Sequence, residues 1–146
     1  MKKKLIKICL VGLTNAGKST LINNIIGEKI SITNKKVNTT EELIIGIKNI
    51  KNNQLIFYDT PGLSNLKNIN KNNRSLKQNL WKGLSEADLI LYLIDIKTYN
   101  LNNIKTNITK LNELKKNIII VFNKNDLIDK NLVLPKIKEL NNHTKI

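Results

Sequence analysis

The chain has 146 residues and one cysteine, Cys9, and its 25 Lys and Arg residues against 11 Asp and Glu residues produce a formal net charge of +14. One cysteine cannot form an intramolecular disulfide, and no apolar run is long enough for a transmembrane helix, which argues against a disulfide scaffold and a membrane-spanning chain. The length predicts one domain, and the composition predicts a soluble protein of a reducing compartment.

The positive charge is compatible with two kinds of surface. A large basic excess is typical of proteins that face nucleic acid. Here the excess consists of scattered lysines with one arginine, Arg74, and Lys, Asn and Ile are also the residues that AT-rich codons encode. A solvated basic surface and an RNA-facing surface therefore both remain open.

The first predicted strand runs into a glycine-rich loop and then into a helix. We predict a buried strand at residues 4–11, with Cys9 as a core residue, and a helix at residues 18–28 that ends near Gly27. Residues 12–19 between them read G-x-x-x-x-G-K-S, the pattern whose backbone N–H groups cradle nucleotide phosphates.

Each residue type in this loop has a chemical reason to be there. Gly12 and Gly17 let the backbone turn sharply, and Lys18 is placed to reach the β- and γ-phosphates. The Ser19 hydroxyl is a candidate ligand of Mg²⁺, and the helix N-terminus adds partial positive charge. The candidate nucleotide-binding residues of this segment are Gly12, Asn15, Ala16, Gly17, Lys18, Ser19 and Thr20.

A polar linker at residues 28–41 leads to two further strands. The first of these is predicted at residues 42–50 and the second at residues 54–58, with a hairpin turn at Asn52-Asn53 between them. Because a short turn joins antiparallel neighbours, the sheet is predicted to be mixed.

The third strand ends in the string Asp59-Thr60-Pro61-Gly62. In an α/β sheet, ligands bind at the carboxyl ends of the strands. Asp59 at this edge is a candidate to hold Mg²⁺ directly or through water, and Gly62 can offer its N–H to a γ-phosphate because no Cβ blocks the approach.

The second half of the chain alternates helices and strands. Residues 63–75 are predicted to be a mobile loop, and residues 88–95 and 118–122 to be buried parallel strands. Apolar residues at helical spacing predict three helices, marked by Leu76, Leu80, Trp81 and Leu84, by Leu101, Ile104, Ile108, Leu111 and Leu114, and by Leu132, Val133, Ile137 and Leu140. We predict that Trp81 packs in the core, that Pro135 lies near the first turn of the last helix, and that residues 143–146 approach another strand, with His143 exposed.

The string Asn123-Lys124-Asn125-Asp126 follows the last predicted strand and indicates guanine. The Asp126 carboxylate can accept hydrogen bonds from both N1–H and the 2-amino group of guanine, whereas adenine presents an acceptor there. Asn123 can serve the O6/N7 edge of the base or tie neighbouring loops together. The Lys124 stem can lie across the ring face.

Taken in order, these motifs and Thr39-Thr40 of the linker resemble a translation-factor-class small GTPase domain. Residues 27–32, 36–40 and 81–88 resemble the Era type of bacterial GTPase, particularly that of alphaproteobacteria and mitochondria. The resemblance implies an α/β P-loop NTPase G-domain fold, with a mostly parallel, doubly wound sheet and one antiparallel edge strand. It covers nearly the whole chain.

The resemblance also implies roles for particular residues. Thr40, with Thr39 as second choice, would close on Mg²⁺ and the γ-phosphate, and Asp59 and Gly62 would belong to the second switch. Lys18, Thr40 and Gly62 would be the catalytic residues. Leu63 stands where many relatives carry a water-orienting glutamine, and Asn15 matches a residue that helps to hold K⁺. The resemblance therefore implies slow hydrolysis that K⁺ stimulates.

The chain departs from the Era pattern in two ways. Glu41 stands where the family carries an arginine, and the 146 residues do not include the positions at which the family carries its fifth motif, last strand, last helix and RNA-binding KH domain. We therefore expect residues 1–146 to form a G domain that is incomplete at its C-terminus, with a partly bare sheet face near the first strand.

The implied function is a GTP/GDP-binding, Mg²⁺-dependent and GTP-hydrolysing switch in assembly of the small ribosomal subunit, with that subunit or its rRNA as partner. The alternatives are a catalytically impaired guanine-nucleotide-binding module and a related GTPase for tRNA modification. The expected state is a monomer, and the expected location is the cytoplasm of a bacterium or endosymbiont, with the mitochondrial matrix as the alternative.

Overall fold

Five strands form one sheet in the computed structural model of this chain, which describes residues 4–27, 44–60, 81 and 83–144. The strands are β1 (Lys4–Gly12), β2 (Ile44–Ile50), β3 (Asn53–Asp59), β4 (Leu89–Asp95) and β5 (Asn117–Asn123). The helices are α1 (Lys18–Ile26), α2 (Leu101–Asn112) and α3 (Lys130–His143), with 3₁₀ turns at Ile96–Thr98 and Asn125–Leu127. Residues 83–86 are also helical.

The sheet has the strand order β2-β3-β1-β4-β5. β1 lies at its centre and pairs in parallel with both β3 and β4, and β4 pairs in parallel with β5. β2 pairs antiparallel with β3 at one edge. The predicted mixed sheet with one antiparallel edge strand is therefore confirmed. Because β1, β3, β4 and β5 run in parallel, their carboxyl ends lie at the same edge of the sheet, where the predicted motifs lie.

Helices cover both faces of the sheet, as the alternation of strands and helices predicted. On one face the buried Ile22 of α1 packs against β1, β3 and β4, beside Leu10, Phe57 and Leu93. On the other face the apolar residues of α2 and Leu140 of α3 pack over the sheet. The core on that second face comprises Cys9, Val11, Tyr58, Leu84, Ala87, Ile90, Tyr92, Ile94, Ile104, Ile108, Leu111 and Leu140.

Two predictions about single residues in this core are confirmed. Cys9 is fully buried in β1 among the residues of the second face. Trp81 is partly buried and packs against the same cluster, so its indole ring is a packing element. In the described residues, no helix is long and apolar enough to cross a membrane.

The prediction that β5 is a buried strand is wrong. β5 is an edge strand of the described sheet, and Ile119 in its middle is 50% exposed. Ile8 and Leu10 of β1 are buried and Leu5 at its start is 52% exposed, so the bare sheet face expected near the first strand stays a prediction. α1 contacts β1, β2 and β3, and Val121 of β5 is partly buried against the same cluster, whereas Ile119 is half exposed.

The hairpin turn lies one residue earlier than predicted. Ile50 pairs with Asn53, so the connecting residues are Lys51 and Asn52. Lys51 adopts φ 52°, which supplies the left-handed conformation that tight hairpins require. The predicted pair Asn52-Asn53 is therefore displaced, because Asn53 already belongs to β3.

The last helix begins earlier and ends later than predicted. The Asp129 side chain accepts a hydrogen bond from the Asn131 N–H at 2.9 Å, and this N-cap starts α3 at Lys130. Pro135 consequently lies inside the helix and not near its first turn. His143 is the last residue of α3, so it does not approach a strand, although it is exposed as predicted.

Several predictions concern residues outside those the structure describes. They are the linker at residues 28–41, the loop at residues 63–75, and the start of the predicted second helix with Leu76 and Leu80. Of the last residues, 145 and 146 also lie outside the described part.

Candidate functional site

The glycine-rich loop connects the carboxyl end of β1 to the first turn of α1. Asn15 and Gly17 adopt left-handed conformations, with φ of 64° and 95°, and the Ala16 N–H donates to the Leu13 carbonyl at 3.2 Å. Left-handed residues in a tight loop are typical of backbone nests that bind anions. The glycine-rich loop is therefore a compact turn at the edge of the sheet, with the backbone conformation that anion-binding nests use.

The two glycines of the motif are required by their neighbours. A Cβ on Gly12 would lie 2.6 Å from the Leu93 carbonyl oxygen, because β1 and β4 are paired at this point. A Cβ on Gly17 would collide with Nδ2 of Asn123. The loop thus fits between β4 and the residues that follow β5.

Lys18 is folded against the loop it belongs to. Its side chain is 8% exposed, and its ammonium donates hydrogen bonds to the carbonyl oxygens of Gly12 at 3.3 Å and Leu13 at 3.1 Å. Ser19 and Thr20 are exposed in the first turn of α1, and no side chain caps this helix at Gly17. A cation and the N-terminus of a helix therefore meet at one place, which favours an anionic ligand.

The end of β3 lies beside the start of the loop. Asp59 pairs with Leu10 of β1, and the Thr60 hydroxyl donates to the Leu10 carbonyl at 2.7 Å. Thr60 is only 6% exposed. In the sequence Thr60 is only part of the D-T-P-G motif, whereas in the structure its hydroxyl ties β3 to β1. Gly62, Thr39 and Thr40 lie outside the described residues.

The carboxyl end of β5 meets the phosphate loop directly. Asn123 ends β5, and its Nδ2 donates a hydrogen bond to the Ala16 carbonyl at 2.8 Å. Of the two roles considered for Asn123, the structure shows the tie between loops. Asp126 is exposed in the 3₁₀ turn that follows β5.

The Lys124 side chain is held by Asp95, which the sequence predicted only as the end of a strand. Lys124 adopts a left-handed backbone with φ 63°, and its Nζ lies 2.7 Å from Oδ2 of Asp95. Asp95 ends β4 and pairs in register with Asn123. Its position offers a sequence signal for a site residue, because ligands of α/β proteins bind at the carboxyl ends of buried strands and Asp95 is an acidic residue there.

The environment of Asp95 keeps its carboxylate ionised. Burial raises the pKa of Asp95, but hydrogen bonds from Lys124 and the Lys97 N–H, with the charge of Lys124, outweigh this effect. The pKa of Asp95 therefore lies below its ordinary value. The ion pair is consequently present at neutral pH.

The chain matches a family model over most of its length. The model is described as 50S ribosome-binding GTPase, and it matches residues 7–124. This span includes the phosphate loop, the end of β3 and the first two residues of the string after β5. It therefore contains nearly all of the site described above.

Curated relatives are similar over most of this chain. The chain is 41% identical over 132 residues to GTPase Era of Rickettsia conorii, which covers 89% of this chain and 38% of that protein. It is 41% identical over 133 residues to GTPase Era of Buchnera aphidicola from Acyrthosiphon pisum (strain Tuc7), and the match covers 87% of this chain and 44% of that protein. The chain thus spans about two fifths of the length of these relatives.

Solved structures agree with the fold. A crystal structure of Era in complex with MgGDPNP and nucleotides 1506–1542 of 16S ribosomal RNA has a TM-score of 0.76 and 36% identity, covering 97% of this chain and 48% of that one. Aquifex aeolicus Era bound to GDP·AlF₄⁻ has a TM-score of 0.73 and 33% identity, covering 96% and 48%. By sequence and by fold, the chain belongs to the 50S ribosome-binding GTPase family and, within it, to the Era type.

Proposed function

We propose that this chain binds GTP and GDP with Mg²⁺ and hydrolyses GTP, as the G domain of a switch protein. The observation that carries the proposal is the 2.8 Å hydrogen bond from Asn123 to Ala16. It joins the phosphate-binding motif to the guanine motif across 107 residues of sequence. This contact supports the proposal that the two motifs bind the phosphates and the base of one nucleotide.

The described residues fit a nucleotide with a bound Mg²⁺. Lys18 would leave the carbonyl oxygens of Gly12 and Leu13 and neutralise the β- and γ-phosphates, and Asp126 would read the guanine edge. No group of three or more His, Cys, Asp or Glu side chains in the described part of the chain could hold a metal ion. Ser19 would ligate Mg²⁺ together with phosphate oxygens, with Asp59 and Thr40 as further ligands.

Catalysis would consist mainly of positioning and charge stabilisation. Mg²⁺ would supply charge neutralisation at the phosphates. The backbone N–H groups of the loop and Lys18 would hold the transferred phosphoryl group, and Gly62 would contribute its N–H from the second switch. Asn15 would hold K⁺ beside the phosphates, so hydrolysis would be slow and stimulated by K⁺.

The experiment that tests nucleotide binding is a titration of the 146-residue chain with a fluorescent GDP analogue in Mg²⁺. Unlabelled GDP and then ADP compete with the analogue. Competition by GDP without competition by ADP is expected, because Asp126 accepts hydrogen bonds that only guanine can donate. Absence of saturable binding, or equal competition by ADP, would overturn the proposal.

Hydrolysis is tested separately by multiple-turnover release of phosphate from GTP. Release beyond one equivalent supports a working GTPase. Tight GDP binding without turnover would identify a nucleotide-binding module that does not hydrolyse GTP. The variant Lys18→Met controls for a contaminating phosphatase, because it removes the ammonium that would contact the phosphates.

We further propose that this switch acts on the small ribosomal subunit or its rRNA in the cytoplasm of a bacterium, with residues 1–146 forming the G domain. The support is the Era structure that contains a segment of 16S ribosomal RNA, together with the +14 charge of the chain. The test is cosedimentation with small and large ribosomal subunits at graded salt, with GTP and with GDP. Equal association with both subunits, or association independent of nucleotide, would contradict it.

A further inference from the structure

Asp95, at the end of β4, and Lys124, directly after β5, form an ion pair. The side chains are 11% and 29% exposed, respectively, so the pair is mostly shielded from solvent. Its N–O distance of 2.7 Å is that of a charge-assisted hydrogen bond. A pair with this geometry and burial constrains both side chains more strongly than an exposed surface pair would.

Asp95 is itself held rigidly. Its Oδ1 accepts the Lys97 N–H at 3.0 Å and caps the 3₁₀ turn, while Oδ2 accepts from Lys124. Each carboxylate oxygen thus has its own donor. The anchor point for Lys124 is therefore fixed by the end of β4 and not by the loop that carries Lys124.

This anchor acts on the chain segment between two guanine-site residues. Lys124 follows Asn123, which is tied to the phosphate loop, and precedes the turn that carries Asp126. Because the Lys124 ammonium is already fixed, its long stem has less rotamer freedom left to lose when a base docks against it. The stem is therefore ordered before any ligand arrives.

We propose that Asp95 is a positioning residue of the guanine site: it acts through Lys124, which it holds so that the lysine stem is ready to lie along the face of the base. This inference rests on the proposed function of the chain as a guanine-nucleotide-binding domain. Asp95 does not touch the base edge, so its effect is independent of base identity. Discrimination between bases stays with Asp126.

The test uses Asp95→Asn in the full chain. Asparagine keeps the Oδ1 acceptor for the Lys97 N–H but replaces Oδ2 with an NH₂ group that cannot accept from Lys124. Loss of one pre-ordered side chain should weaken binding of fluorescent GDP by roughly two- to tenfold, mainly through faster dissociation. The same factor is expected for IDP, which lacks the 2-amino group, so the ratio of GDP to IDP affinity should stay unchanged.

Lys124→Met separates positioning from a general structural effect. Methionine keeps an apolar stem but has no ammonium to anchor. Asp95→Asn should therefore have no further effect on GDP dissociation in the Lys124→Met background. Asp129→Asn is the matched control, because Asp129 also caps a helical turn with its carboxylate but is not paired with Lys124. Its GDP dissociation rate should equal that of the wild type.

Each outcome decides one claim. The positioning role is overturned if wild type and Asp95→Asn bind GDP equally well. It is also overturned if the effects of Asp95→Asn and Lys124→Met are additive, or if Asp95→Asn changes the ratio of GDP to IDP affinity. None of these three results affects the proposed function. If the wild-type chain does not bind GDP, the proposed function is overturned and the role of Asp95 falls with it.

Discussion

Nδ2 of Asn123 occupies the space that a Cβ on Gly17 would need. The same Nδ2 donates to the Ala16 carbonyl, so Asn123 packs against the loop where Gly17 turns with φ 95°. Asn123 can therefore contact the phosphate loop in this way only because Gly17 has no side chain.

Gly17→Ala should disable the nucleotide site. A non-glycine residue in the left-handed region costs about 1–2 kcal/mol, and the added methyl group would displace Asn123 from Ala16. We expect fluorescent GDP to bind at least roughly tenfold more weakly. Gly83→Ala is the control, because a Cβ there meets no described atom within 4 Å and the residue is helical. Unchanged GDP affinity in Gly17→Ala would contradict the prediction.

Thr60→Val should lower the free energy of unfolding by about 1–3 kcal/mol, because the buried hydrogen bond from the Thr60 hydroxyl to the Leu10 carbonyl is lost. Urea unfolding followed by circular dichroism measures the change. Thr109→Val is the control, since the Thr109 hydroxyl is exposed and donates at 3.0 Å to the Lys105 carbonyl within the same helix. Equal destabilisation of both variants would contradict the prediction, because the buried hydrogen bond between β3 and β1 would then stabilise the fold no more than the exposed one in the helix.

Asn15→Gly should abolish stimulation of GTP hydrolysis by K⁺. Glycine accepts the left-handed backbone of position 15, where φ is 64°, so the variant removes the amide with little strain. The measurement compares phosphate release in KCl and NaCl at equal ionic strength. Asn24→Ala, on the exposed side of α1, should keep the wild-type ratio. A wild-type rate that is the same in both salts, or an unchanged ratio in Asn15→Gly, would contradict a K⁺ site.

Asp95 should make the chain less stable at acid pH. Because the folded pKa of Asp95 lies below its ordinary value of about 3.9, its contribution is fully present above that value. The contribution is lost as the pH falls from about 4 through the folded pKa, where the carboxylate is protonated and releases Lys124. Between pH 6 and pH 3, wild type should therefore lose more free energy of unfolding than Asp95→Asn. Parallel pH profiles of the two proteins would be the contrary result.

The sequence alone determined the parts of this protein that depend on neighbouring residues. Apolar runs and helical spacing predicted all five described strands and the three helices, because secondary structure follows a local period. The glycine-rich loop and the string after β5 identified the nucleotide motifs by residue type and spacing. A short hairpin was enough to predict the antiparallel pair, since it leaves no room for a crossover.

Tertiary structure decided the features that join distant residues. The spacing of β5 could not show that it is an edge strand, because a short apolar run looks the same with one neighbour or two. The contacts of Asn123 with Ala16, Thr60 with Leu10 and Lys124 with Asp95 likewise span 107, 50 and 29 residues. They exist because parallel pairing brings the carboxyl ends of four strands to one edge, where side chains without any sequence relationship come within hydrogen-bonding distance.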